Sequence, residues 1–431
     1  MINLKWLKMI IIAIVSTFIS IIIALGLIIG VYKIPTDSME SHVLSSYKFF
    51  IETNPNITPK VIGGKLDTHT DAIMLLTASH RDNDESIIKK SLLSQRYTIK
   101  DKEPDEVIYT MGLKSEINEF DRNILTTMPY ARYWHGYVII LKPLLLVVGY
   151  EGLRIINGFI LFLLTILLWL QYQRLNEKLY IIPLLATLLF LNPVSIVFSL
   201  QFTGVITITL TGLLVLARYR EYFINKKIFL PIFFSVLGGV TAYIDLLTYP
   251  LITLGIPLTY WLCSTSVNSV SKIKILGDIL LYSIIWGIGY SGLWVSKWIF
   301  ATYLTDNNII YDAYHEVIYR TSTYATSVGE NISYINVLKN NLKYYWINFL
   351  LLIIVAASYL SLKKCKIKDV IKYSCYEKYS PFIVIAFMPF IWYFMLQNHS
   401  YIHSWFTYRT EAITIYTLVL VSCLIIKRRR A

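Results

Sequence analysis

The stretch Met9-Ile-Ile-Ile-Ala-Ile-Val-Ser-Thr-Phe-Ile-Ser-Ile-Ile-Ile-Ala-Leu-Gly-Leu-Ile-Ile-Gly30 decides the fold. It carries no charge, and at ~1.5 Å rise per residue a single helix of this length crosses ~30 Å of hydrocarbon. It is too long for the apolar core of a cleavable signal peptide and lacks a small-residue cleavage site, so it reads as a signal anchor. Lys5 and Lys8 precede it and hold the N-terminus inside. The whole chain of 431 residues is 55% apolar with a mean hydropathy of +0.55. These values describe an all-α polytopic membrane protein rather than a soluble domain.

Further apolar runs at 153–171, 180–200, 204–217, 229–246, 248–264, 277–300, 344–362, 380–397 and 410–426 bring the expected count to about ten transmembrane helices. Alternation along these spans places Arg174, Lys178, Arg218, Arg220, Lys226, Lys227, Lys272, Lys274, the 363–378 basic cluster and Arg428 on the cytoplasmic side. The turns at 201–203 and around Leu247 face outward and carry no Lys or Arg. This asymmetry predicts both termini in the cytoplasm and an integral protein of the bacterial plasma membrane. The Ile, Lys, Asn and Tyr usage fits a low-GC bacterium. The predicted organisation is an anchor at 1–31, a large extracytoplasmic loop or domain at 32–133, and a multi-span bundle at 134–431 with a second outer loop at 301–343.

The formal charge of +13 does not indicate a nucleic-acid partner, because about half of the Lys and Arg lie in short loops where they set orientation. The four cysteines, Cys263, Cys365, Cys375 and Cys423, follow no metal-ligand spacing and all fall on the inner side, which argues against a disulfide framework. No Gly-rich phosphate loop accompanies the inner loops, so nucleotide-fuelled chemistry is not expected there.

The polar groups that invite chemistry gather on the outer side. Asp67 and Asp71 lie four apart in Asp67-Thr68-His69-Thr70-Asp71, with Asp67 at a helix N-cap position, and Asp37 and Glu40 follow the anchor. Capping and solvated surface are the ordinary alternatives. Arg132 and His135 sit in Met128-Pro129-Tyr130-Ala131-Arg132-Tyr133-Trp134-His135-Gly136-Tyr137, which suits either an interfacial aromatic belt or a surface that stacks sugars and pairs phosphates. The 136–150 stretch, interrupted by Lys142-Pro143, reads as an interfacial or re-entrant helix. Asp245 and Lys297 are charges inside apolar runs, which usually face a cavity or each other. Asn398-His-Ser-Tyr-Ile-His403-Ser-Trp-Phe-Thr-Tyr-Arg409 links two apolar runs and concentrates His399, His403 and Arg409 at the membrane surface.

This layout resembles the GT-C superfamily of glycosyltransferases: an acidic outer loop after the first span, about ten spans, and cations at the outer leaflet. The stretches 133–137, 243–250 and 398–403 also look like parts of cell-envelope membrane proteins of Gram-positive bacteria. Neither a Trp-Trp-Asp signature nor a tight Asp-Glu pair after the first span is present. The resemblance implies a sugar donor on a polyprenyl phosphate, a cell-envelope glycan or lipid acceptor, membrane lipids as partners and no nucleic acid. Asp71, Asp67 or Asp37 would be the general base. Arg132, His135, Asp245, Lys297, His399, His403 and Arg409 would bind substrate, the cations among them facing the lipid phosphate. No cofactor is required; a divalent metal on Asp67, Asp71 and a histidine is compatible with the chemistry, and the spacing does not by itself call for one. The competing readings are a transporter or flippase of lipid-linked saccharide, a polymerase or ligase of such glycans, and a non-catalytic envelope scaffold.

Overall fold

A computed structural model describes residues 4–52, 66–81, 85–265, 270–325, 329–344 and 376–428. The chain is mostly helical. It opens with α1 (Leu4–Val31), followed by α2 (Asp37–Ser45), α3 (Thr68–Ser79), α4 (Ile87–Leu93) and α5 (Pro104–Glu116). Then come α6 (Val138–Leu145), α7 (Tyr150–Arg174), α8 (Ile181–Phe190), α9 (Pro193–Phe198), α10 (Leu200–Arg218), α11 (Phe229–Ile244) and α12 (Ile252–Thr265). The long α13 (Lys272–Leu304) and α14 (Ile309–Thr321) precede α15 (Phe382–Ala386), α16 (Met388–Met395), α17 (Gln397–Ile402) and α18 (Ala412–Arg428). Two antiparallel strand pairs accompany these helices, Arg96–Thr98 with Thr126–Met128 across α5 and Tyr324–Ala325 with Glu330–Asn331.

Among the described residues, five stretches are long and apolar enough to cross a membrane: α1, α7, α10, α13 and Ser404–Lys427. The remaining expected spans among the described residues are shorter or interrupted. The 180–200 run breaks at Asn192, whose φ of +64° ends α8 and whose side chain accepts from the amides of Val194 and Ser195 to start α9. Pro193 then occupies the first turn, where its missing N–H costs nothing. The 380–397 run is divided among α15, α16 and the start of α17, and α12 is a short helix containing Pro257. The turn expected at 201–203 is helical instead, because α10 already begins at Leu200. The 344–362 run and most of the 363–378 cluster lie outside the described residues.

The basic loops gather at one end of the bundle. Arg220 pairs with Glu177 at 2.7 Å, Lys427 lies within electrostatic range of Glu177, and Lys5, Lys227 and Lys274 all act on Asp278. The 32–133 region sits at the other end. Its buried side chains, among them Ala72, Leu75, Val107 and Met111, join Ile28, Leu200, Ala242 and Leu293 of the long helices in one continuous core. Among the described residues, the 32–133 region therefore has no separate core of its own.

Close backbone approach joins α11 to α13. A Cβ on Gly289 would stand 1.8 Å from the Ser235 carbonyl oxygen, and one on Gly238 would stand 2.2 Å from that of Trp286. Small residues at a helix crossing permit such contact, and van der Waals packing drives helix association where water is absent. Gly289→Ala is expected to push the helices apart and cost about 1–3 kcal/mol. A Cβ on Gly287 meets nothing within 4 Å, so Gly287→Ala is the matched control. A thermal melt of the detergent-solubilised protein should show a fall for the first and none for the second.

Candidate functional site

The helix α14 carries a stripe at four-residue spacing: Asp312, Glu316 and Arg320 share one helix face. Asn308 starts this helix by accepting from the amide of Tyr311 at 3.0 Å. Asn398 anchors its last turn, donating from Nδ2 to the Tyr319 carbonyl at 2.8 Å. Glu316 accepts from Arg320 Nε at 2.8 Å, and Arg132 NH1 reaches Asp312 at 3.1 Å and Glu316 at 3.4 Å. Beneath this group lies a cleft of about 260 Å³. Tyr133, Tyr290, Trp294, Trp298 and Trp392 supply its aromatic wall, and Arg132, Glu316 and Arg320 line its polar end. Val295, Val317 and Met395 also line it and are themselves exposed, giving the cleft an apolar side opening.

The arginine also determines the state of His399. Arg320 NH1 lies 2.5 Å from His399 Nδ1, and a guanidinium can only donate, so Nδ1 is the unprotonated acceptor. His399 Nε2 therefore carries the proton and donates to the Leu247 carbonyl at 2.9 Å. Burial first, then Arg320 and His403, hold the imidazole well below its ordinary pKa. Leu247 adopts a φ of +65° within a turn closed by Asp245, whose carboxylate accepts from the amide and hydroxyl of Thr248. His403 lies beside His399, with ring centres 4.9 Å apart, and stacks on Phe406.

Of the residues singled out in the sequence, Arg132 and His399 thus meet at this cleft through Arg320. His403 adjoins it, and Asp245 shapes the turn that presents Leu247. The others have different surroundings. Asp71 is fully buried, and its carboxylate accepts from Tyr150 Oη at 2.6 Å and from the amides of Leu200 and Gln201 at 3.0 and 3.1 Å. Those amides are among the unpaired donors at the start of α10, so Asp71 caps that helix from outside it. Burial pushes its carboxyl up to about 7 against the pull of Tyr150 and the two amides. Asp67 caps its own helix by accepting from Thr70 N at 3.0 Å, and its amide donates to Ser199 Oγ.

Asp37 pairs with Arg81 at the surface, while the buried Glu40 bridges Arg81 and Arg122 at 2.6 Å each. His135, at a φ of +53°, is enclosed with Nδ1 against Tyr137 Oη and Nε2 against the Tyr130 carbonyl. Burial, followed by Lys297, depresses it to about 3. Lys297 does not face the cleft: it donates to the Leu92 carbonyl at 2.7 Å and lies over Trp134, tying α4 to α13. Arg409 is buried over the rings of Phe202 and Tyr408 and donates to the Trp405 carbonyl.

Asp67 and Asp71 sit at helix starts, and His135, Lys297 and Arg409 reach backbone carbonyls and rings, as buried polar groups in an apolar bundle generally do, while Arg409 Nε and NH2 have no hydrogen-bond partner among the described residues. The residues not singled out are Asp312, Glu316 and Arg320, whose four-residue spacing was the available signal. Among the described residues, no three of His, Cys, Asp and Glu are grouped so as to hold a metal ion.

No protein-family model, curated protein or solved structure matches this chain.

A pH effect follows from His403. Burial, with Arg320 and His69 behind it, lowers its pKa from 6.5 to about 4. The folded state thus favours the neutral ring, and the resulting stability is complete above about 6.5 and lost as pH falls from there toward 4. Melting temperatures at pH 7.5 and 5 should differ less in His403→Phe than in the wild type. An unchanged difference would show that the ring titrates as in the unfolded chain.

Proposed function

We propose that this chain is a GT-C-like glycosyltransferase with about ten spans, moving a sugar from a polyprenyl-phosphate donor to a cell-envelope glycan or lipid acceptor. The observation that supports this reading is a side-opening aromatic cleft ending in two arginines and one carboxylate. With the basic loops inside, both termini are cytoplasmic and the cleft faces the outer leaflet. The polyprenyl chain enters from the membrane side, and the phosphate meets Arg132 and Arg320 at headgroup level. Because both arginines already hold Glu316, an arriving phosphate takes over their donors and releases the carboxylate.

Glu316 then accepts the proton of the acceptor hydroxyl as that oxygen bonds to the anomeric carbon. The carbon–oxygen bond to phosphate breaks with its electron pair going to the phosphate, whose charge the two guanidinium groups compensate. No proton need reach the leaving group. The aromatic wall of the cleft suits stacking against sugar faces.

The interrupted helices at Asn192 and along α15–α17 favour a second reading, a flippase of lipid-linked saccharide, since broken helices recur at transporter binding sites. One experiment separates the two. The protein is reconstituted into vesicles with a labelled polyprenyl-phosphate sugar and a soluble glycan acceptor. Acceptor-dependent release of free polyprenyl phosphate supports transfer, and extension by whole oligosaccharides assigns a polymerase or ligase. Exchange of intact donor between leaflets without release supports the flippase and defeats the transferase.

A further inference from the structure

At the basic end of the bundle, far from the aromatic cleft in the chain's layout, a cavity of about 590 Å³ opens among the ends of α1, α11, α12 and α13. Lys5, Lys227 and Lys274 line it, and all three act electrostatically on one acid, Asp278, which leaves an excess of two positive charges. Trp6, Trp261 and Tyr282 form its aromatic lining. Trp6 packs against Gly277, where a Cβ would touch the indole at 3.4 Å. A mixed basic and aromatic cavity between membrane helices matches the needs of a phosphate carried on an amphipathic molecule.

A second observation favours a lipid over a soluble phosphate. An apolar groove of about 610 Å³ runs between α1 and α11, and on the α11 side it begins at Ile228 and Phe229, directly after Lys227. Ile12, Ile19 and Ile23 form one wall, and Ile232, Val236 and Val240 the other. It continues to Tyr243, about 22 Å along the helix at ~1.5 Å per residue, which is the length of an extended fatty-acyl chain. We infer that Lys5, Lys227 and Lys274 form a headgroup site for an anionic phospholipid of the leaflet at this end, with one acyl chain lying in the α1–α11 groove. The assignment is independent of the reaction proposed for the opposite end.

The test titrates the purified full-length protein in detergent with phosphatidylglycerol or phosphatidylcholine and counts retained lipid by native mass spectrometry. Phosphatidylglycerol should be retained in clear preference to phosphatidylcholine. The Lys227→Gln/Lys274→Gln double variant should lose about thirtyfold in phosphatidylglycerol affinity. The Lys227→Arg/Lys274→Arg variant should keep it. Lys178→Gln removes a charge at the same end but outside the cavity and should have no effect. Ile19→Trp, which fills the groove and leaves every lysine in place, should also weaken retention, and it serves if the double variant fails to fold. Equal retention of the two lipids, or an equal loss in Lys178→Gln, would overturn the site. Competition by free sn-glycerol 3-phosphate as effective as that of the lipid would overturn the lipid assignment in favour of a soluble phosphate ester.

Discussion

Glu316→Gln should lower sugar transfer by about 10²–10⁴-fold, the usual cost of removing a general base, with little change in thermal stability. Glutamine fills the same space and still offers one oxygen to Arg320 or Arg132, so the α14 stripe keeps its geometry. It cannot take a proton from an attacking hydroxyl. The side chains in the lost salt bridges are 16–25% exposed, and the glutamine oxygen left in place keeps part of each hydrogen bond, so the fall in stability should be modest. Donor binding should persist, because both guanidinium groups remain and gain freedom to meet the phosphate. Single-turnover transfer and donor binding measured side by side would check both halves. Full turnover in this variant would remove Glu316 from the reaction and leave Asp312 as the remaining carboxylate of the stripe.

Asp71→Asn should act in the opposite manner, on folding rather than on turnover. The carboxylate accepts three hydrogen bonds in a site closed to water, two of them from backbone amides at the start of α10. An amide side chain offers one oxygen and must aim its own N–H groups at a donor. Hydrogen bonds to charged groups are worth about 1.5–3 kcal/mol each, and a buried donor left unpaired costs about as much again. A loss on the order of 3 kcal/mol is expected, seen as a lower melting temperature and poorer recovery from the membrane. The molecules that do fold should transfer sugar at the wild-type rate. A variant that melts normally yet has lost turnover would return Asp71 to the reaction.

The contrast between these two acids shows what the sequence could convey. Long apolar runs and the Lys and Arg bias are local properties, so the membrane-embedded helices and the shared basic end are legible from them. The break at Asn192 was also visible, since Asn before Pro is a start signal for a helix, but the surrounding hydropathy masked it. Asp71 was legible as a polar residue beside an apolar helix. Its partners were not, because two of them are backbone amides about 130 positions away with no side-chain signature and the third, Tyr150 Oη, lies 79 positions away. The partner of Lys297 is hidden in the same way: a cation in an apolar run points to a cavity or a counter-charge, and the group it meets is the backbone carbonyl of Leu92. Arg132 and His399 stand out individually in the sequence, while the Arg320 that joins them lies in the 301–343 stretch, where no apolar run draws notice to its helical spacing.

The core shared by the 32–133 region and the long helices also bears on the order in which the protein assembles. Asp71 leaves the ribosome long before Leu200, and at about 5–20 residues per second the interval is roughly 6–26 s. During that time the 32–133 segment has no partner for its buried carboxylate and no floor for Ala72 and Leu75. Its folding must therefore wait for α10 to emerge, which makes the waiting segment a natural client for chaperones and proteases.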